Sequence, residues 1–385
     1  MRKKQPHTDN FYQRNGRRPR IAFFDYPDVF EDFYSHYGVD QKAFSTHWHN
    51  TANHAWLKIV QEEIGDVTWF VACLKPKIKE SRHEYIGCRM KFFSSSWLHR
   101  KLWQLFYKSS FAWRWKRFYR TYATIASYLS LLSFSFFQAL KKDKPDMLFV
   151  QDYCSGRFDV LLFFARVLKI PILTFHSGST PDKYLGKFLK RHTIPKADWI
   201  FSSGDRELNL LLHQFKLSPH RLNIIRPPID TSIYKPLSRE QACSLMGLDP
   251  GKRYWIFTGR LEDEVKRVSS ILDKFKLIAK EFPNIDFLIV GTGKDEQKLK
   301  RKADELVPGR VHFLGWIADD TKKAWVYNTA ECLFLASWRE ASPAVIGEAF
   351  SCGIPVASSR VGSIDDLVVP NKSGWLFLPG DDEAM

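Results

Sequence analysis

The stretch "EASPAVIGEAFSCGIPVAS", Glu340 to Ser358, decides the reading of this chain. Two glutamates stand eight residues apart among Ala, Ser, Gly and Pro, and a Gly-Ile-Pro-Val break follows. The preceding "ECLFLAS" (331–337) is an apolar run of strand length, so Glu340 falls at a strand's carboxyl end. Ser342 suits a helix N-cap and Pro343 the first helical position, with the helix running to about Ser351. Gly353 suits the position just past the helix, and Pro355 prevents its continuation. Glu340 therefore precedes a helix and Glu348 rides on it. The free amides near Ala344 and Val345 bring a positive dipole end there, which makes an anion site, most naturally for phosphate. At ~1.5 Å rise per residue, Glu348 lies roughly 8–9 Å from the helix start. That length suits a ligand with hydroxyls on both sides of a diphosphate, the form of a nucleotide sugar. Taken alone, the two glutamates also read as a polar loop residue and a solvated helix face.

Working outward, the second half alternates strand and helix. "YWIFTG" (254–259), "DFLIVG" (286–291), "VHFLG" (311–315), "IPVASS" (354–359) and "GWLFLPG" (374–380) read as strands, and Val268–Glu281 as a helix. The first half repeats the pattern through "RIAFFDY" (20–26), "DVTWFVAC" (66–73), "DMLFVQD" (146–152), "IPILTFH" (170–176), "DWIFSS" (198–203) and "LNIIRPP" (222–228). Strands that are apolar throughout, with helices between them, imply parallel sheets covered on both faces. Residues 227–253 are dense in Pro, Gly, Ser and charge, as a linker with one short helix would be. The expected organisation is a basic N-terminus (1–18), an α/β domain (19–235), a linker (236–252) and a second α/β domain (253–385). Ligands bind beyond the carboxyl ends of strands in such sheets, so two domains facing each other across a linker would form a cleft.

Composition narrows the partners. The 385 residues are 44% hydrophobic with a formal net charge of +16, which points to an anionic partner. Six scattered cysteines, none in a C-x-x-C pair, read as free thiols in a reducing, cytoplasmic compartment. No apolar leader follows the basic N-terminus. Residues 121–140 carry no charge over a membrane-spanning length, yet their Ser and Thr content favours a buried helix, with a span or an interfacial helix as alternatives. Residues 97–120 interleave Trp, Phe and Tyr with Lys and Arg. They read either as helices packed on the first sheet or as a surface for anionic lipid. Nucleic acid is the weaker partner for them. His47, His49 and His54 lack the neighbouring carboxylates of a known metal pattern, and no nucleophile elbow, P-loop or zinc spacing occurs. "GTGKDE" keeps two glycines, Gly291 and Gly293, of a dinucleotide fingerprint and has Glu296 at the third. Its turn is expected to let a base or ribose approach the backbone.

The opening stretch resembles the E-x7-E segment of retaining GT-B glycosyltransferases, specifically glycosyltransferase family 4, the glycosyl transferases group 1. "FTGRLEDEVKRV", "FLIVGTGKDEQKL", "VHFLGW" and "SGWLFLPGDDE" follow the family's order, and the first half resembles it more weakly through "KPDMLFVQD", "IPILTFHSGS" and "IIRPPIDTSIYKP". The resemblance implies two Rossmann-like domains, the first for the acceptor and the second for the donor. It implies that Glu340 contacts the donor sugar, Glu348 the ribose, and Arg260 with Lys266 the diphosphate. His176, Gly291, Gly293, Ser342, Ala344 and Val345 would complete the site. "GRLEDEVKRV" is one residue longer than the usual spacing, so Arg267 is a candidate to replace Lys266. The implied reaction is retaining transfer from a nucleotide-diphospho-sugar, without an obligatory metal, to a saccharide or lipid-linked acceptor in cell-surface polysaccharide or glycolipid synthesis, on the cytoplasmic face of the membrane. A nucleotide-sugar 2-epimerase of the same fold is the alternative. Relatives continue past "GDDEAM", so a truncated, inactive nucleotide-binding remnant is the third reading. The first domain also lacks the family's Gly-Gly loop after the first strand.

Overall fold

The computed structural model describes residues 16–25, 27–46, 52–106, 116–175 and 187–385. The chain divides into two compact units. One comprises the described residues of Met1–Ser202 with Leu208–Ile225, and the other Ser203–Glu207 with Arg226–Met385.

The first unit holds an eight-stranded sheet: β1 (Arg20–Phe24), β2 (Asp66–Cys73), β3 (Glu80–Arg82), β4 (Arg89–Ser94), β5 (Met147–Gln151), β6 (Ile172–Phe175), β7 (Trp199–Ser202) and β8 (Leu222–Ile224). Their order across the sheet is β3-β4-β2-β1-β5-β6-β7-β8. All neighbours are parallel except β3 with β4. β1 shows why the strands read as continuous apolar runs. Ile21 and Phe23 enter one core with Trp69 and Phe44, while Ala22 and Phe24 enter another with Phe70 and Phe136. Alternate residues point to opposite faces, and both faces are covered. β3 and β4 escape the sequence pattern because they are charged and mark the sheet's edge.

Among the described residues, the helices on the side of Phe24 are α1 (Trp97–Phe106), α2 (Lys116–Leu129), α3 (Phe134–Asp143), α4 (Gly156–Leu168) and α5 (Lys187–Thr193), joined by a helix over Asp205–Phe215 that buries Leu211 and Phe215 in the same core. The single helix expected over 121–140 is two helices here. The chain breaks after Leu129, and Ser133, in an extended conformation, restarts it by accepting the Phe136 amide. Among the described residues no single helix is long and apolar enough to cross a membrane; Tyr122–Leu129 and Phe134–Asp143 pass that test only together, bent by 49°.

The second unit is a six-stranded, fully parallel sheet. Its strands are β9 (Arg253–Thr258), β10 (Ile285–Val290), β11 (Val311–Gly315), β12 (Ala330–Leu335), β13 (Val356–Ser359) and β14 (Gly374–Phe377), ordered β11-β10-β9-β12-β13-β14. Its helices include α6 (Arg239–Met246), α7 (Val268–Glu281), α8 (Glu296–Leu306), α9 (Asp320–Thr329) and α10 (Ala344–Ser351). The stretch 226–252, read from composition as a domain end and linker, clusters with this unit. Tyr234 and Cys243 are buried in its core, and Asn328 accepts the Leu237 amide at 2.7 Å. Surface-like composition hid a segment whose Tyr234, Ala242 and Cys243 are buried, although Leu245 stays exposed.

Candidate functional site

In the second sheet the strand order reverses between β9 and β12, because β10 and β11 lie to one side and β13 and β14 to the other. The loops leaving two such strands diverge and open a crevice at their carboxyl ends, the usual ligand position of this architecture. The loop after β9 carries Arg260 and Lys266, and the loop after β12 carries Glu340.

These loops are tied together. Trp338 N–H donates to Val265 O at 2.8 Å, which brings the end of the one-turn helix Asp263–Lys266 against the second loop. Lys266 Nζ then lies 2.6 Å from Glu340 Oε1, and Ser337 Oγ donates to the same oxygen at 2.6 Å. The two side chains keep only 16% and 10% of their exposure. Gly362 (φ +63°) clamps the Glu340 loop from behind: a Cβ there would sit 2.1 Å from Glu340 O. Ser363 adds its N–H at 2.9 Å and its Oγ at 2.7 Å, both to Ala341 O. Arg260 is exposed and bound to Glu262 at 2.8 Å.

Lys266, not Arg267, reaches Glu340. Arg267 adopts φ +53° between two helical segments and turns away. Its guanidinium lies 4.6 Å from the centre of the Trp338 ring and bonds Asp382 at 2.6 Å.

Helix α10 starts one residue later than expected. Pro343 is extended (ψ 115°) and is the N-cap, and its carbonyl accepts Ile346 N–H at 3.2 Å. Ser342 therefore does not cap the helix, and its buried Oγ has no hydrogen-bond partner among the described residues. The amides of Ala344 and Val345 come before the first intrahelical bond and are left to other acceptors. The C-terminus follows expectation. Gly353 (φ +79°) donates to Phe350 O and Ile354 to Ala349 O at 2.9 Å, a Schellman closure.

Glu348 points inward and is 8% exposed. Lys323 Nζ lies 3.1 Å from one oxygen and Tyr327 Oη donates to the other at 2.8 Å, both from α9. Lys323 also pairs with Asp320 at 3.1 Å, and Tyr234 Oη donates to Asp320 at 2.7 Å. Burial, with Glu348 alongside, pushes the Tyr327 phenol well above its ordinary value, so it stays a donor. Burial works against the Lys323 charge, but Glu348 and Asp320 outweigh it and raise that group. Sequence reading missed Lys323 and Tyr327. Their signal was present in the spacing Asp320, Lys323, Tyr327, which lies on one helix face.

Gly291 and Gly293 are needed by the protein itself. A Cβ on Gly291 (φ +133°) would lie 1.9 Å from Gly259 O, and one on Gly293 would lie 2.5 Å from Leu261 O. The turn expected to admit a base or ribose also packs closely on the neighbouring backbone after β9. His176, His47 and His49 lie outside the described residues. His54 is fully buried against Trp69 and His83. Among the described residues no group of three or more His, Cys, Asp and Glu is placed to hold a metal ion.

The first sheet has its own reversal, between β1 and β5. Asp28, after β1, lies 3.2 Å from Arg157 Nε on α4, which follows β5. Burial pushes the Asp28 carboxyl up to about 7 against the pull of Arg157.

Two parallel-sheet α/β units, the second with a cation–carboxylate pair at its reversal, make this a GT-B architecture. Solved structures agree on the fold. Anabaena Alr3699/HepE in complex with UDP is 15% identical with a TM-score of 0.66, covering 95% of this chain and 87% of that one. Sucrose-phosphate synthase from Thermosynechococcus elongatus is 17% identical with a TM-score of 0.67, covering 95% and 88%. The family model described as Glycosyl transferases group 1 matches residues 252–385. A D-inositol 3-phosphate glycosyltransferase of Mycobacterium marinum is 28% identical over 211 residues, covering 53% of this chain and 44% of that protein. D-inositol 3-phosphate glycosyltransferase 2 of Catenulispora acidiphila is 28% identical over 216 residues, covering 53% and 50%. The chain spans about half the length of the curated relatives it matches.

Proposed function

We propose that this chain transfers a sugar, with retention of anomeric configuration, from a nucleotide-diphospho-sugar to a saccharide or lipid-linked acceptor. The reaction would serve cell-surface polysaccharide or glycolipid synthesis on the cytoplasmic side of a membrane. The observation that carries this reading is the Lys266–Glu340 pair at the reversal of the second sheet, beside the open amides of α10. A leaving nucleoside diphosphate gathers negative charge, which needs fixed donors and cations that are already in place. Lys266, Arg260 and the amides of Ala344 and Val345 supply them. Glu340, held by Ser337 and Lys266, orients the donor sugar through its hydroxyls. Glu348 turns the inner end of α10 into a fixed polar wall near the ribose. These residues are proposed to act without an obligatory metal. The first unit presents the acceptor, with Asp28 and Arg157 at its own reversal.

Thermal melting with UDP, GDP, ADP and their sugars tests the donor site. A ligand at about 100 times its Kd adds about 2.7 kcal/mol. Product analysis with the stabilising donor, with and without acceptor, then separates transfer from epimerisation. Glu340→Ala is expected to lower turnover by a factor on the order of 10²–10³. Cooperative melting with no nucleotide shift would overturn the donor site.

A further inference from the structure

We infer that the helical layer of the first unit, α1 to α5, is a docking surface for an anionic bilayer. Residues 97–144, which include α1 to α3, hold ten Lys and Arg against a single acidic residue, Asp143. α4 adds only Asp159, and α5 adds no carboxylate. Both carboxylates are buried and spoken for. Asp143 binds Arg89 and Lys91, and Asp159 binds Lys190 at 2.9 Å and Tyr128 at 2.6 Å. None of α1 to α5 therefore turns a carboxylate outward among the described residues, while Lys101, Lys141, Lys142 and Arg191 are exposed; the helix Asp205–Phe215 on the same core carries Asp205 and Glu207 in its first turn.

The apolar side chains of the layer do the opposite of what a soluble surface requires. Trp97, Leu105, Phe134, Phe163 and Phe188 come from four different helices and are 63–76% exposed. The helices are linked one to the next. α1 packs on α2 and α2 on α4, Phe137 of α3 meets Phe164 of α4 at 5.0 Å, and α5 joins α4 through Lys190 and Asp159. Protruding aromatics separated by cations, with the carboxylates removed, match the two demands of a lipid interface. The aromatics enter the headgroup boundary and the cations meet anionic lipid. A protein partner would call for a concave or flat apolar patch; isolated aromatic tips on successive helices suit a soft surface that deforms around each one. The bend between α2 and α3 also favours lying on the membrane over crossing it.

The test is vesicle flotation of the full chain. Vesicles of phosphatidylcholine alone are compared with an equimolar mixture of phosphatidylcholine and phosphatidylglycerol. Binding is expected to the mixed vesicles, to fall as salt rises, and to weaken about tenfold or more in Lys141→Glu/Lys142→Glu. Phe134→Ser/Phe163→Ser/Phe188→Ser is expected to abolish flotation with the melting temperature unchanged, since all three side chains are exposed. No flotation of the unmodified chain with anionic vesicles at low salt overturns the proposal. So does flotation that ignores lipid charge, or that survives both sets of substitutions. Flotation needs neither donor nor turnover, so its failure leaves glycosyl transfer standing, and a missing donor site leaves the docking surface standing.

Discussion

Replacing Lys266 with Met probes the site and the fold together. Two unit charges at the 2.6 Å separation of Lys266 and Glu340 attract by about 6 kcal/mol at an effective dielectric of about 20. Desolvation offsets much of this, and removing one member of a fully buried pair typically costs about 3–5 kcal/mol. Both side chains here keep some contact with solvent, and Ser337 still donates to Glu340, so about 2–3 kcal/mol is expected. For a unit of this size that lowers the melting temperature by roughly 4–12 °C. Lys266→Met/Glu340→Gln should recover most of the loss, with a coupling of about 1.5 kcal/mol or more in a double-mutant cycle read by urea unfolding. Nucleotide-diphosphate stabilisation should vanish in both variants that lack Lys266 and persist in Lys266→Arg. Additive single effects would show that the pair is not coupled. A nucleotide shift surviving in Lys266→Met would remove the lysine from the diphosphate site.

Other expectations follow from the same geometry. Gly291→Ala forces a Cβ to within 1.9 Å of Gly259 O, so it should cost 3 kcal/mol or more on the order-of-magnitude scale for strained backbone, visible as poor expression or a large drop in melting temperature. Tyr327→Phe removes one donor from the buried Glu348, with an expected cost of about 1–3 kcal/mol by urea unfolding. Acid should also weaken the first unit through His99. Burial, with Arg100 adding to it, holds this imidazole down from the ordinary 6.5 to about 4, against a Ser95 hydroxyl at 3.0 Å. Between those values the unfolded chain binds the extra proton. The stabilisation, about 3 kcal/mol, is therefore complete above pH 6.5 and lost as pH falls toward 4. His99→Gln should flatten that part of the pH–stability profile.

Sequence alone determined whatever is written along a short length of chain. Runs such as Ile285–Val290, buried at every position, announced parallel strands because both faces of the sheet are covered. Val268–Glu281 was legible as a helix to the residue. Gly353 and Pro355 ended α10 as read, because a left-handed residue and a missing amide are local properties. The order of motifs placed Glu340, Lys266 and Arg260 in the loops that leave β9 and β12.

The tertiary structure decided the partners. Lys266 meets Glu340 across 74 residues of chain, and Arg267 meets Asp382 across 115. No periodicity could choose between the two adjacent cations; the choice was made by the left-handed turn at Arg267 and the ring of Trp338 that receives it. Glu348 read as a ligand-facing carboxylate, and only the packing of α9 on α10 shows that Lys323 and Tyr327 hold it in place. Residues 226–252 read as linker because composition averages over side chains, whereas membership of a core depends on where the few apolar ones point. The same holds for the helical layer of the first unit. Its charge excess is visible in the sequence, but only packing shows that Asp143 and Asp159 face inward while Phe134, Phe163 and Phe188 face out. Local preference fixes which elements form, and the burial of faces against distant elements fixes which side chains meet.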